Sequence, residues 1–287
     1  MDLIHFILNA AAMLLWLSWR SYRFVPANDF RGGTLLSTLK KTERGQFNRM
    51  TLLTSLVTLL GLRAIFYWHI GPSVQWAPRM DLAVISIPFR CDYFDRMVLF
   101  SVLSFLSWLG VFYFWLILLQ LINDRGADAN PWHAIVKRHL GWVAVLPVWA
   151  RILLPALFAY LLWLVFSKYF GYLRILPDPR NGSVWLTQGL VVSLSVYLLA
   201  KSLIVSVLVL YLVNSFVYLG NYAFLAYVNT TAQRMLKLIR WLPMRVGKFD
   251  FAPLVLLGLV VVVDFFLQRG FGAGQKYGLV WLFLQAS

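Results

Sequence analysis

The chain has 287 residues, of which 61% are hydrophobic and only 13% are charged, and its mean hydropathy is +0.73. Soluble domains carry about 25% charged residues and disordered chains have low hydrophobicity, so both classes are excluded. The 26 Lys and Arg outnumber the 11 Asp and Glu, and they lie mostly between apolar segments. This pattern favours a membrane protein that contacts anionic lipid headgroups over a protein that binds nucleic acid.

Six membrane spans are predicted, which makes the expected fold an all-α, polytopic transmembrane bundle. Each span supplies most of the roughly 20 apolar residues that cross a bilayer core about 30 Å thick. The spans cover residues 3–19, 50–69, 98–122, 154–173, a long segment that begins near 185, and 251–267. Asp2 precedes the first span and Arg20 follows it, which is the opposite charge order to a cleaved signal peptide. The pattern predicts an uncleaved anchor with its N-terminus outside.

The fifth segment, residues 185–228, has the length for either one long helix or two antiparallel helices. No Pro-Gly cluster marks a turn within it. With one helix there, the loops on one side hold 16 Lys and Arg and those on the other side hold 8. Cytoplasmic loops carry such an excess of positive charge, so a single tilted helix is favoured, with both termini outside an inner (cytoplasmic) membrane.

A parallel internal repeat of span, interfacial basic helix and span is predicted at an offset of about 97 residues. Pro147 and Pro243 each follow a leucine after a basic stretch, and Pro155 and Pro253 each open a span. The resulting organisation is listed by residue range: an N-terminal two-span region at 1–97 with a basic cytoplasmic loop at 20–49, repeats at 98–173 and 185–267, and an interfacial tail at 268–287.

Two linking helices, at 132–146 and 234–242, are predicted to lie flat at the cytoplasmic interface. In the first, Trp132, Ile135 and Val136 share an apolar face, while His133 points away with the basic residues. Basic amphipathic helices of this kind contact lipid headgroups or dock a cytoplasmic partner. The candidate contact residues are Lys137, Arg138, Arg234, Lys237 and Arg240.

The run from Arg240 to Val255 resembles the signature of the YggT (YlmG) family. It contains a basic stretch, a Leu-Pro step, a short glycine-containing link and an aspartate before the proline that opens a span. The motif residues are Leu242, Pro243, Gly247, Asp250 and Pro253. The first repeat is more divergent, since it lacks the glycine-containing link. Residues 1–97 exceed a minimal member of the family.

The resemblance implies a small integral membrane protein, built of two such units, that serves envelope processes or the assembly of membrane complexes. It implies no catalytic residues and no cofactor. The single cysteine, Cys91, excludes an internal disulfide and a cysteine metal cage. No histidine falls at mid-span where a b-type haem would be held, and no P-loop or GxSxG motif is present.

Three charged residues, Arg63, Lys201 and Asp264, fall inside predicted spans, where a charge is costly and marks a candidate functional position. Arg63 and Asp264 each lie thirteen residues into a span, which puts them at about 20 Å depth at 1.5 Å per residue. Lys201 reaches a similar depth if its helix leaves the membrane near residue 213. The matched depth and opposite charge predict that Asp264 pairs with Lys201 or Arg63.

The sequence therefore predicts a non-catalytic protein that organises or assists assembly of a membrane complex, with anionic lipids and other membrane proteins as partners. Two alternatives stay open. The first is a small transporter or channel that uses the three intramembrane charges. The second is an accessory subunit of a respiratory or photosynthetic complex. The loop at 70–97 is expected to enter the interface or to pack over the bundle, and the tail at 277–287 to form an interfacial helix or a partner contact.

Overall fold

The computed structural model describes residues 1–21, 49–82, 85–124, 130–176, 181–217, 220, 222–237, 245–246 and 249–272. The helices are α1 Asp2–Ser21, α2 Arg49–Ile70, α3 Phe94–Asn123, α4 Pro131–Leu140, α5 Val148–Tyr172, α6 Gly182–Phe216, α7 Ala223–Leu236 and α8 Ala252–Gly272. The strands are β1 Arg79–Leu82, β2 Ile85–Pro88, β3 Arg245–Val246 and β4 Phe249–Asp250. β1 pairs with β2, and β3 pairs antiparallel with β4. The helical content confirms an all-α architecture.

Five helices in the described part of the chain, α1, α2, α3, α5 and α6, are long and apolar enough to cross a membrane. They coincide with the first five predicted spans. α8 matches the position of the sixth, but its described side chains end at Phe266, which leaves an apolar stretch shorter than a full span. The described residues thus form an α-helical membrane protein with five candidate spans, and the sixth span stays a prediction.

The fifth segment contains one continuous helix, α6, which ends before the segment does. A 3₁₀ turn at Val196–Leu199 joins its two α-helical parts, so α6 continues for 35 residues. The helix ends at Phe216, and Gly220 then adopts a positive φ of 98° before α7 begins. Positive φ is readily adopted only by glycine, which explains why the chain can turn here without a proline. One continuous helix therefore occupies most of this segment and is a candidate single span, but it ends at Phe216 and does not extend to residue 228.

The start of α5 differs from the prediction that Pro155 opens this span. The helix begins at Val148, directly after Pro147, and Pro155 lies inside it. A proline in a helix interior removes one backbone hydrogen bond, and transmembrane helices tolerate this when neighbouring groups compensate. Pro253, by contrast, is the second residue of α8, where its missing N–H costs nothing.

The linking helices also depart from their predicted bounds. The first is α4, which Asn130 caps by accepting a hydrogen bond from the Trp132 N–H at 2.9 Å. α4 stops at Gly141, which has a positive φ of 58°, and a 3₁₀ helix at Gly141–Val145 follows. The second is α7, which begins eleven residues before the predicted start at 234 and ends at Leu236. The rest of the predicted helix, 238–242, lies outside the described residues, as does the tail at 277–287.

Two compact units divide the chain. The first comprises Met1–Met80 and Pro88–Gly110, and its apolar core contains Ala12, Leu56 and Phe105. The second comprises Asp81–Ile87 and Val111–Ser287. Its core has two clusters. One joins α6, α7 and α8 around Leu208 and Ala232, and the other joins α3, α4 and α7.

Candidate functional site

The first unit contains a buried cation, Arg63, on α2. Its side chain is only 1% exposed. The Nε atom donates to Ser101 Oγ at 3.0 Å, and the two terminal nitrogens donate to the Ser101 carbonyl and to Asn9 Oδ1. These three acceptors are neutral and come from α1 and α3. Arg63 therefore joins three helices through hydrogen bonds to neutral hydroxyl, carbonyl and amide oxygens.

The charge of Arg63 fixes the orientation of the groups behind it. Because Asn9 Oδ1 accepts from Arg63, Asn9 Nδ2 donates to Ser104 Oγ at 2.9 Å and to His5 Nε2 at 3.0 Å. His5 Nε2 must then be the accepting nitrogen, and Nδ1–H donates to the Tyr67 hydroxyl at 2.9 Å. The network assigns a single neutral tautomer to His5. Together the hydrogen bonds of His5 and Asn9 hold α1 in one register against α2 and α3.

Aromatic rings close the network at the N-terminal end of α1. The Trp76 ring lies 4.9 Å from Tyr67 and 6.0 Å from Phe100, and its Nε1 donates to Asp2 Oδ1 at 3.0 Å. Phe89 packs on Phe100 at 5.3 Å. Residues 76 and 89 belong to the predicted loop at 70–97, so of its two expected arrangements the structure shows packing on the helices.

Cys91 adds to the same region. Its thiol donates to the Trp76 carbonyl at 3.1 Å, and burial raises its pKa to about 11. Little of the reactive thiolate is present at neutral pH. Cys91 is therefore a buried packing residue.

The second unit contains the ion pair that the sequence predicts for Asp264. Lys201 Nζ on α6 donates to Asp264 Oδ2 on α8. The Lys201 side chain is 41% exposed and that of Asp264 is 14% exposed. Because both residues lie in apolar helices, each neutralises a charge that would otherwise face lipid or the apolar core. The structure thus shows Lys201 as the partner of Asp264.

Sequence reasoning missed a second ion pair, between Asp124 at the end of α3 and Arg151 in the first turn of α5. Arg151 Nη1 donates to Asp124 Oδ1 at 3.0 Å, and Arg151 is buried. The residue before Asp124 is also in a polar contact, since Asn123 Nδ2 donates to Thr231 Oγ1 on α7 at 2.9 Å. These contacts connect α3, α5 and α7 at one end of α3.

We expect the Asp124–Arg151 pair to make stability depend on pH. The hydrogen bond from Arg151 holds the pKa of Asp124 below its usual value near 4. A lowered pKa contributes stability above the unfolded value, and this is lost as pH falls through the folded value. Asp124→Asn should therefore cost at most about 1 kcal/mol at pH 7, because the carboxylate is partly solvated. The difference from wild type should shrink as pH falls below about 4 and vanish only below the lowered pKa that Asp124 has in the folded protein. Thermal unfolding in detergent at pH 7 and at decreasing pH values below 4 measures the difference, and an equal cost throughout would exclude the charge as the cause.

The candidate interfacial residues are placed in part. Lys137 and Arg138 on α4 and Lys237 after α7 are exposed, and Arg234 on α7 is half-buried. His133, predicted to point away from the apolar face, is buried instead with Val136 and Leu140. The three residues recur at spacings of three and four, and so form the face of α4 that packs on the protein. The sequence pattern places Trp132 and Ile135 on the buried face of the helix. Both residues are exposed, so the buried face is the one that contains His133.

The motif of the resemblance falls largely outside the described residues. Arg240, Leu242, Pro243 and Gly247 lie there, and Asp250 is described only as part of β4. Pro253 is placed at the start of α8, as the motif requires.

Comparisons with known proteins identify no relative: no family, no curated protein and no solved structure matches the chain. Within the residues that the structure describes, no three His, Cys, Asp or Glu side chains are grouped so that they could hold a metal ion. The candidate functional features of this chain are therefore its polar networks and its exposed basic helices.

Proposed function

We propose that this chain is a non-catalytic inner-membrane protein of the YggT type that organises or assists assembly of a membrane complex. The observation that carries the proposal is the packing of the two linking helices on each other. α4 packs on the first half of α7, and Asn130 Nδ2, just before α4, donates to the Ala223 carbonyl at 3.4 Å. The Trp132 and Phe224 rings lie 5.1 Å apart.

The contact gives α4 and α7 one common position relative to the membrane helices. Val136 and Leu140 of α4 pack with Tyr227 of α7 against the end of α3. Tyr227 and Thr231 also accept hydrogen bonds from Asn123. The pair is thus held rigidly at one end of α3, and we call it the linking-helix platform. Its outward residues are basic and aromatic, a composition suited to docking at a membrane surface.

The finer topology belongs to the same proposal. With α8 completed beyond Phe266, the chain has six spans, and each linking helix follows an inward span and precedes an outward one. The linking-helix platform then lies on the cytoplasmic side, where the excess of Lys and Arg is found. The parallel repeat is supported by the order of long helix, short helix and long helix in both halves. The halves differ locally, since Asn130 caps α4 whereas Asn229 lies within α7.

Gentle purification from native membranes, followed by mass spectrometry of bound proteins, tests the proposal. We expect a stoichiometric set of other membrane proteins with the wild-type chain. Replacement of Arg234, Lys237 and Arg240 by Gln should reduce their recovery at least several-fold. The matched control replaces Arg79 and Arg90, exposed in the loop at 70–97, and should leave recovery unchanged. Recovery of the wild-type chain alone would contradict the proposal.

A transporter is the second candidate, and the Lys201–Asp264 pair is the observation that favours it. Ion pairs inside membrane helices recur along ion and proton pathways. A transporter reconstituted in vesicles would carry an ion or a substrate across the bilayer. Replacement of both Lys201 and Asp264 by Leu should abolish this flux. No flux with the wild-type chain would exclude this candidate.

A further inference from the structure

We propose that two neighbouring helix breaks form a hinge, about which a helical hairpin of the second unit moves as one body. The hairpin consists of the described residues 156–176 and 181–195, and we call it the α5–α6 hairpin. The breaks lie at its two ends, at Pro155 in α5 and at the 3₁₀ turn Val196–Leu199 in α6. The inference goes beyond the proposed function, because it concerns a motion of the chain itself and requires no partner.

The two arms of the α5–α6 hairpin pack closely on each other. Trp185 Nε1 donates to Ser167 Oγ at 2.7 Å, and Lys168 Nζ lies 4.7 Å from the centroid of the Trp185 ring. Nearer the breaks, a Cβ added to Gly189 would lie only 2.8 Å from the Tyr160 ring. The glycine therefore lets the two helices approach each other, as small residues do between membrane helices. These contacts run along the hairpin and hold its arms together as one body.

The chain is anchored just outside both breaks. On the α5 side, the ion pair of Arg151 and the packing of Leu154 fix the helix to the cluster that joins α3, α4 and α7. On the α6 side, the ion pair of Lys201 and the packing of Leu203 fix the helix to α7 and α8. Within the described residues, these two core clusters contain no residue from 155 to 202. The hairpin thus lies between two anchored parts of the chain.

The regular helical hydrogen bonding is weakened at both breaks. Pro155 has no N–H, so it removes the hydrogen bond that the Arg151 carbonyl would accept in a regular helix. In α6, Ser193 and Ser195 each donate a hydroxyl to the carbonyl three residues earlier, just before the 3₁₀ turn. Such bonds bend helices, and a 3₁₀ stretch within a helix often marks a functional hinge. Both arms can therefore change direction at these points without loss of the packing between them.

Tyr197 joins the two breaks. It lies in the 3₁₀ turn, and its hydroxyl donates to the Ile152 carbonyl in the turn of α5 before Pro155. Its ring packs against Phe114 of α3, with 6.1 Å between the ring centroids. The hydrogen bond couples the direction of α6 to that of α5, so the hairpin bends at both ends together. The bond also stabilises the present position of the hairpin over one in which it has moved away.

Distances between pairs of spin labels, measured by double electron–electron resonance, test the hinge in a Cys91→Ser chain reconstituted in nanodiscs. One pair, Val165→Cys with Val209→Cys, spans the hinge from the hairpin to the anchored half of α6. The other pair, Val165→Cys with Leu194→Cys, lies within the hairpin. All three labelled positions are exposed. We expect two populated distances for the first pair and a single distance for the second.

Three substitutions separate the hinge from a general loosening of the helices. Tyr197→Phe removes the hydrogen bond but keeps the ring, and should raise the proportion of the second hairpin position about threefold, the ratio expected for one hydrogen bond between membrane helices. The matched control, Tyr211→Phe, removes a hydroxyl from the anchored half of the same helix and should leave both pairs unchanged. Pro155→Ala restores the backbone hydrogen bond of α5 and should lower the proportion of the second position at least threefold.

Thermal unfolding of each variant reports whether the fold is intact. Distances between positions 165 and 209 that neither Tyr197→Phe nor Pro155→Ala changes would overturn the hinge. An equal change in the distance between positions 165 and 194 would also overturn it, because the hairpin would then not move as one body. A change confined to the pair that spans the hinge in Tyr197→Phe supports the proposal, even if Pro155→Ala fails to fold.

Discussion

Replacing Arg63 by Ala should destabilise the first unit by about 2–5 kcal/mol, the largest effect we expect from a single substitution in the chain. The guanidinium makes three hydrogen bonds to Asn9 and Ser101, and all of these atoms are buried. Hydrogen bonds to charged groups contribute about 1.5–3 kcal/mol in water-soluble proteins, and those between membrane helices average nearer 0.6 kcal/mol. The cavity left by the side chain adds to the loss.

The same change should release α1, because Asn9 would lose the donor that fixes its amide. Ala12, on the same helix, is fully buried against the first unit. An Ala12→Cys reporter should resist maleimide in an otherwise wild-type chain and react in the Arg63→Ala background. Thermal unfolding in detergent gives the accompanying loss of stability.

The matched control is Leu62→Ala, one residue earlier on α2, where the side chain is mostly exposed. It removes a large side chain without touching the network, and should cost less than about 1 kcal/mol. If Arg63→Ala were no less stable than Leu62→Ala, the network would contribute nothing to holding α1. Arg63→Met separates volume from hydrogen bonding, since it fills the space but leaves Asn9 Oδ1 with only the longer hydrogen bond from Ser104 Oγ at 3.3 Å.

The second large effect concerns Lys201 and Asp264. Asp264→Leu leaves an ammonium group inside a membrane helix, which insertion scales place at about 2.5–3.5 kcal/mol at a helix centre. Lys201→Leu leaves the less exposed carboxylate instead. The double Leu variant removes both charges and should be close to wild type, since apolar replacement of a buried ion pair is often neutral or stabilising.

A double-mutant cycle of thermal stabilities measures this coupling. We expect the two single changes to cost about 2–3 kcal/mol each and the double change much less than their sum. Val263→Leu, at an exposed neighbouring position on α8, serves as the control. Additive costs would mean that the two side chains are solvated separately. Because the double variant is expected to fold, it also separates the two candidate functions. If the chain is a membrane organiser, the variant should still recover its partner proteins. If the chain is a transporter, the variant should lose flux.

The positions of the membrane helices could be predicted from the sequence because hydrophobic length is a local property. Spans at 50–69 and 98–122 match α2 and α3 within four residues at every end. Local rules also mislead. Pro155 fits a helix start by its chemistry, but the apolar residues before it are equally helical, so α5 begins at Val148. Glycine conformation, not proline, marks the breaks at Gly141 and Gly220.

The polar networks could be predicted only in part. The depth and opposite charge of Lys201 and Asp264 are visible in the sequence, and their pairing is confirmed. The partners of Arg63 are neutral residues on other helices, and nothing in the spacing of Arg63 identifies them. A weaker signal was present, since His5 and Asn9 are polar residues four apart in an apolar helix and therefore share a face. The same holds for Ser101 and Ser104, three apart on α3.

The most direct test of the account is the sidedness of the linking-helix platform, measured by cysteine accessibility in intact cells with Cys91→Ser as background. Ala134→Cys on α4 and Gln233→Cys on α7 are exposed positions, as are Arg90→Cys and Arg174→Cys in the predicted outer loops. We expect an impermeant maleimide to label only the last two, and all four to react once the membrane is opened. Labelling of position 134 or 233 from outside would contradict the platform's cytoplasmic position and the proposed function built on it.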